Sequence, residues 1–212
     1  MTSKLKKLLI GAATLALTAG AALAETVIIG HFGSPTPMQV ARAEGKFDAA
    51  TGWTIEWRQF GSGTEVIAAM ASGDVQVAEL GSSPLAIGTS QGLEIQLFMI
   101  AQGLGTAESL IAKAGSGITR IEDLKGKRIA VPVGSTAHYS LMGALTYAGI
   151  AETDVTIMNL PADQIAAAWD SGQVDAAFIW EPVQNQILQT GTFIVGADQT
   201  AAWGFPTFDG WV

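Results

Sequence analysis

An α/β fold built on mostly parallel sheets flanked by helices is what this 212-residue sequence predicts, and three observations carry it. Short β-branched runs alternate with alanine-rich stretches of helical character along the chain. Apolar residues make up 49% of the chain and charged residues 14%, enough for a substantial core and one or two domains. The segment 68–78, AAMASGDVQVA, is echoed 99 positions later by AAWDSGQVDAA at 167–177. Both copies read as helix, Ser-Gly stop and strand. That period is too long for a solenoid and fits two similar lobes, although Ser-Gly after a helix is also a common stop by itself.

In chain order, Lys4, Lys6 and Lys7 precede an apolar run at 8–17 and the small-residue ending Ala22-Leu23-Ala24. This is the layout of a secretory signal peptide cleaved after Ala24. As a membrane anchor the run is too short, because Thr14, Thr18 and Gly20 interrupt it before the roughly 20 apolar residues that a span needs. Strands are then expected at 27–30, 54–58, 75–78, 95–100, 109–112, 128–131, 156–159, 176–179, 193–195 and 207–212. Helices are expected at 38–44, 64–71, 84–90, 121–124, 137–148, 162–169 and 182–189, with Gly63, Ser83 and Ser135 just before three of them. The first lobe is expected at 25–114 and the second at 115–212, opening near Gly115-Ser116-Gly117. The charges of the phrase 121–131, IEDLKGKRIAV, read as a solvated surface turn rather than a phosphate site.

The chain has no cysteine, which removes disulfides, thiolate metal sites, cysteine nucleophiles and a lipid-modified N-terminal cysteine. Its formal charge is −8; without the three signal-segment lysines, 8 basic residues face 19 acidic ones, or −11. Nucleic acid and anionic membrane are poor partners for that surface. A purely anionic ligand is repelled by the net field, so an anion site has to work through local dipoles, and a zwitterion is easier to hold.

Three small, polar turns join a strand to a helix: Gly61-Ser62-Gly63-Thr64, Gly81-Ser82-Ser83-Pro84 and Gly134-Ser135-Thr136. In a parallel sheet such turns lie at the carboxyl ends of the strands, where ligands bind. Unpaired N–H groups at a helix start receive an oxyanion without Lys or Arg. Taken singly, each hydroxyl reads first as its own helix cap, a role worth about 1 kcal/mol, and it is the set of three turns that points to a shared cleft. Pro84 suits a first helical position. Trp180, in Trp180-Glu181-Pro182, and Trp203 lie beside Gly/Pro-rich loops and are candidate ligand walls; Trp53, Trp57 and Trp169 read as packing residues. Asp209 is the acid to pair with a ligand amine, or a turn cap. His138, in a first helical turn, is a polar cleft or surface residue rather than a general base.

Catalytic motifs are missing: no Gly-x-Ser-x-Gly, Walker lysine motif, Gly-x-Gly-x-x-Gly or His-Glu-x-x-His occurs. With two histidines and no cysteine, neither a metal nor a cofactor is expected.

The phrases Leu80-Gly81-Ser82-Ser83-Pro84-Leu85, 126–132 (GKRIAVP), 135–140 (STAHYS) and 203–212 (WGFPTFDGWV) resemble the substrate-binding proteins of the nitrate, sulfonate and taurine group. The last phrase and His138-Tyr139-Ser140 are similar to the taurine branch. The resemblance runs from about Val27 to Val212. It implies a type II periplasmic-binding fold, secreted and monomeric, whose two lobes close on a ligand and deliver it to an ABC permease. Residue by residue it implies Ser82, Ser83 and Thr136 facing a sulfonate, Trp180 walling the cleft and Asp209 taking an ammonium, so that taurine is the expected ligand. Ser62 and His138 complete the expected site. The chain departs from the family where His31-Phe32 replaces a Tyr-Gln pair and where Glu181 replaces a neutral residue. It also ends before the helices by which relatives return to the first lobe, and so reads as C-terminally truncated. The rivals are a binder of other alkanesulfonates or small anions, a solute sensor, and an enzyme related to pyrimidine-precursor synthases.

Overall fold

The computed structural model describes residues 26–212, so the expected signal segment lies outside the described residues. Every expected strand forms: β1 (Thr26–His31), β2 (Thr54–Gln59), β3 (Val77–Gly81), β4 (Met99–Gly103), β5 (Glu108–Lys113), β6 (Arg128–Val131), β7 (Thr156–Asn159), β8 (Ala176–Trp180), β9 (Gly191–Gly196) and β10 (Phe208–Trp211). The helices are α1 (Pro37–Ala43), α2 (Lys46–Thr51), α3 (Gly63–Ala71), α4 (Ser82–Ser90), α5 (Thr136–Tyr147), α6 (Ala162–Asp170), α7 (Val183–Leu188) and α8 (Ala197–Ala202). The segment Ile121–Leu124 forms a short 3-10 turn.

The strands make two five-stranded sheets, ordered β2-β1-β3-β10-β4 and β7-β6-β8-β5-β9. Each contains a parallel triplet, β2-β1-β3 or β7-β6-β8, followed by two antiparallel pairings. Parallel neighbours need crossover connections, and the alanine-rich helices supply them. The internal echo is a true equivalence. Segment 68–78 ends α3 and enters β3, and 167–177 ends α6 and enters β8, the same place in each sheet. Both copies stop at a glycine in the left-handed region, Gly73 at φ 80° and Gly172 at φ 74°, where a Cβ is strained.

The lobe boundary differs from the expected one. Strand β5, placed by sequence in the first lobe, pairs with β8 and β9 in the second sheet, and Gly115-Ser116-Gly117 follows it as a turn. Strand β10, placed in the second lobe, pairs with β3 and β4 in the first sheet. Each sheet thus takes one strand from just beyond a crossover, a pairing that local sequence does not encode. The crossovers themselves meet where Leu104 N donates to Thr207 O at 3.0 Å.

The second sheet is covered on both faces, and its strand alternation sorts the side chains. Leu110, Ile129, Val131 and Phe178 pack beneath Leu141 and Leu145 of α5. Their alternates Ile111, Ala130 and Ile179 meet Ile165 and Trp169 of α6 and Ile187 of α7. In the first sheet Val66 and Ile67 of α3 pack on Ala78, Leu80 and Val212, while Val27, Ile29 and Trp211 form a smaller cluster on Met38 and Trp57.

Strands β3 and β4 begin two and four residues later than expected, and α2 and α8 were not expected. Both helices are six residues long; α2 lies between the left-handed glycines Gly45 and Gly52 and buries no side chain, so it carries no apolar stripe to read. Ser62 rather than Gly63 caps α3, and α4 starts one residue before Ser83, with Gly81 at its cap.

Strand β4 is the outer strand of its sheet, and Phe98 and Ile100 are 64% and 63% exposed. A bare apolar edge is a template for association. Phe98→Lys is expected to hold stability within about 0.5 kcal/mol, as for an unpacked surface site, and to lower concentration-dependent light scattering. A clear fall in melting midpoint would instead show Phe98 to be packed.

Candidate ligand-binding site

A cavity of ≈ 110 Å³ lies between the two sheets. Three helix starts reach it: Gly63 at the first residue of α3, Gly81 at the cap of α4, and Ser135 and Thr136 at the start of α5. These are the three turns that the sequence singles out. Ser62 Oγ accepts from Glu65 N at 3.3 Å and Ser135 Oγ from His138 N at 3.1 Å, so both serve as caps. Capping leaves other N–H groups of the first turn unpaired. Gly81 has a steric reason to be glycine, since a Cβ there would come 2.7 Å from Thr136 Cγ2.

The walls come from both lobes. Phe32 of the first lobe meets Trp180 of the second edge to face, with ring centroids 6.2 Å apart. Beside them Ser34 Oγ donates to Glu181 O at 3.2 Å. Thr36, Glu79, Gln102, Glu108, Glu181 and Asp209 supply the remaining polar lining, and no lysine, arginine or histidine among the described residues lines the cavity.

Three of these carboxyls act on one another. Glu79 on β3 and Glu108 on β5 are 3% and 2% exposed, and Asp209 on β10 is half-buried. Gln102 Nε2 donates to Asp209 Oδ2 at 3.2 Å, and Thr136 Oγ1 donates to Glu108 Oε1 at 2.5 Å. Burial pushes Glu108 up to about 8, with the Thr136 hydrogen bond opposing the rise and the Asp209 charge adding to it. Burial and then the Asp209 charge push Glu79 up to about 7, against a backbone hydrogen bond from Phe32. Asp209 is also raised, by burial, against the Gln102 hydrogen bond. The cluster therefore favours bound protons or a cation.

Of the expected site residues, Thr136, Trp180 and Asp209 line this cavity together. Ser82, Ser83 and His138 line an open depression between α4 and α5 that shares Ser135 with it. Ser82 Oγ accepts from Phe208 N at 3.3 Å, which ties α4 to β10. Gly134 N approaches His138 Nδ1 at 3.4 Å, and burial lowers the His138 pKa. Ser62 is buried at its cap, next to the cavity-lining Gly63. Phe32, at the unusual His31-Phe32 pair, faces the cavity; His31 is buried behind it, 2.8 Å from Arg42 Nη1. Glu181 lines the cavity and accepts from Asn185 N at 3.2 Å. Sequence reasoning missed Glu79, Gln102 and Glu108. For Glu79 the signal was present: a lone acid within the apolar strand run Val77–Gly81 is rarely buried without a purpose.

A family model described as NMT1/THI5 like matches residues 34–212. The chain belongs to the NMT1/THI5-like family. A curated relative, the taurine-binding periplasmic protein of Escherichia coli strain K12, is 44% identical over 200 residues, covering 94% of this chain. The chain spans 62% of that relative's length. Among solved structures, the alkanesulfonate-binding protein from Xanthomonas axonopodis pv. citri bound to MOPS has TM-score 0.76 at 24% identity, over 90% of this chain and 66% of that one. The periplasmic aliphatic sulphonate binding protein of E. coli has TM-score 0.67 at 25% identity, over 88% and 61%. The two-lobed periplasmic-binding-protein fold is thus shared with these solved structures. No helix among the described residues is long and apolar enough to cross a membrane.

Carboxyls raised by folding bind more protons folded than unfolded, so their contribution to stability is present at low pH and lost as pH rises through the folded values. For Glu79 and Glu108 those values are about 7 and about 8, against 4.5. The lowered His31 and His138 act oppositely, but only up to their ordinary value of 6.5. The melting midpoint of the ligand-free protein is expected to fall as pH is raised from about 6.5 to 8.5, and Glu79→Gln is expected to flatten that slope. A flat wild-type profile by circular dichroism would mean that the carboxyls are hydrated and ordinary.

Proposed function

We propose that this protein is the periplasmic substrate-binding component of an ABC importer, that its ligand is taurine, and that it hands the ligand unchanged to a membrane permease as a monomer. In this reading the segment 1–24 is its cleaved signal peptide. The observation that carries the reading is the make-up of the cavity: helix starts from both lobes and the carboxyls Glu79, Glu108 and Asp209 line it together, with no basic side chain among the described lining residues. A sulfonate suits unpaired N–H groups and helix dipoles, which need no counter-charge and so do not neutralise the carboxyls. An ammonium suits the carboxyls. Taurine carries both groups two carbons apart, and Phe32 and Trp180 offer apolar faces to its methylenes.

In this assignment the helix start at Thr136 receives the sulfonate through backbone N–H groups, its hydroxyl being given to Glu108, and Asp209 receives the amine. The name of the E. coli relative supports taurine, and the shared fold supports capture between lobes. A binder of amine-free alkanesulfonates would use the same helix starts but would leave Asp209 facing nothing cationic.

Thermal unfolding with taurine, ethanesulfonate or buffer separates these readings. A ligand at about 100 times its dissociation constant adds roughly 2.7 kcal/mol to the stability of the folded state. Taurine is expected to raise the midpoint clearly more than ethanesulfonate does. Asp209→Asn is expected to weaken taurine about 10- to 100-fold, the worth of a hydrogen bond to a charged group, and to change ethanesulfonate little. Equal shifts in the wild type would make it a general sulfonate binder, and no shift with either ligand would refute the sulfonate reading.

A further inference from the structure

Glu108 carries a buried polar atom that the fold leaves without a partner. The residue opens β5 and is 2% exposed. Its Oε1 accepts from Thr136 Oγ1, whereas Oε2 is buried with no hydrogen-bond partner, on a residue that lines the cavity. Buried carboxyl oxygens are normally satisfied, because leaving one bare forfeits its hydration with no return. Asp209, which lines the same cavity, already receives Gln102. The charged groups that line the cavity with Glu108 are Glu79, Asp209 and Glu181, all acidic, so among the described residues no cation lines the cavity beside it.

We infer that Glu108 is a second acceptor for the ligand's ammonium group, gripping it from the second sheet through the free Oε2 while Asp209 grips it from the first. This rests on the amine-bearing sulfonate proposed above and deepens it. Glu108 and Asp209 belong to different sheets, so an ammonium between them is a link between lobes, and amine-bearing ligands favour the closed arrangement for that reason. Thr136 is the positioning residue, engaging Oε1 and leaving Oε2 as the oxygen without a partner. The arriving cation offsets the mutual repulsion of the carboxyls, and a proton held among them is released to solvent. Ethanesulfonate, which lacks the amine, releases none.

The test is isothermal titration of the full chain at pH 7 with taurine and ethanesulfonate, in two buffers of different ionisation enthalpy, on wild type and Glu108→Gln. Glutamine keeps the size of the side chain and an oxygen for Thr136, but not the charge. The variant is expected to lose about 10- to 100-fold in taurine affinity, the worth of a charged hydrogen bond, with ethanesulfonate held within about 3-fold. Wild type is expected to release close to one proton with taurine, and the variant clearly fewer. If wild type prefers taurine but the variant keeps both that preference and the proton release, Glu108 is not an acceptor and the proposed function stands. If wild type does not distinguish the two ligands, the amine-based reading fails and this inference fails with it. Should the variant not fold, the wild-type titrations decide alone: no buffer dependence with taurine overturns the inference.

Discussion

The pairing of the two crossover segments is the constraint on which the site depends. Strand β4 leads out of the first sheet and β10 leads back into it; the two lie antiparallel, and the ladder continues past β10 as the Leu104–Thr207 hydrogen bond. The register sets Asp209 opposite Gln102, which fixes the carboxylate by a cross-strand hydrogen bond. Glu108 begins the next strand, at the near end of the other sheet. The acids therefore sit beside the only two places where the described chain passes between sheets.

Placing three carboxyls there is costly. An ionised carboxylate taken out of water loses several kcal/mol even after the surroundings relax, and here no lysine or arginine offsets it. The cluster responds by holding protons, as the raised values of Glu79 and Glu108 indicate. Such an arrangement costs the empty protein stability, which a cationic ligand offsets in the proposed reading. Beside the carboxyls the helix starts do the reverse, presenting partial positive charge with no ionised group. In the proposed reading those dipoles receive the sulfonate without a basic side chain that would neutralise the acids.

The fold was largely legible because its local signals agree with one another. Alternating runs located every strand, and the Ser-Gly echo marked two equivalent helix-to-strand joints. The three polar turns did lead to the cavity. Which atoms of those turns face it depended on helix phase: Thr136 points to the cavity, while Ser82 and Ser83 fall on the neighbouring depression with His138. A shift of one residue in where a helix starts rotates a side chain by about 100°, and α4 starts at Ser82 rather than at Pro84. Glu79 was visible as a lone acid in an apolar strand, but Glu108, at a strand's first residue, resembles any solvated strand end.

By itself, the sequence determined the α/β class, the order of elements, the three helix starts, the absence of cysteine chemistry and the acid at 209, because each is written in neighbouring residues or in composition. Tertiary structure decided that β5 and β10 trade sheets, that Glu79 and Glu108 join Asp209, and that Phe32 faces Trp180. Those residues come from different strands and turns, and only long-range strand pairing brings them around one cavity.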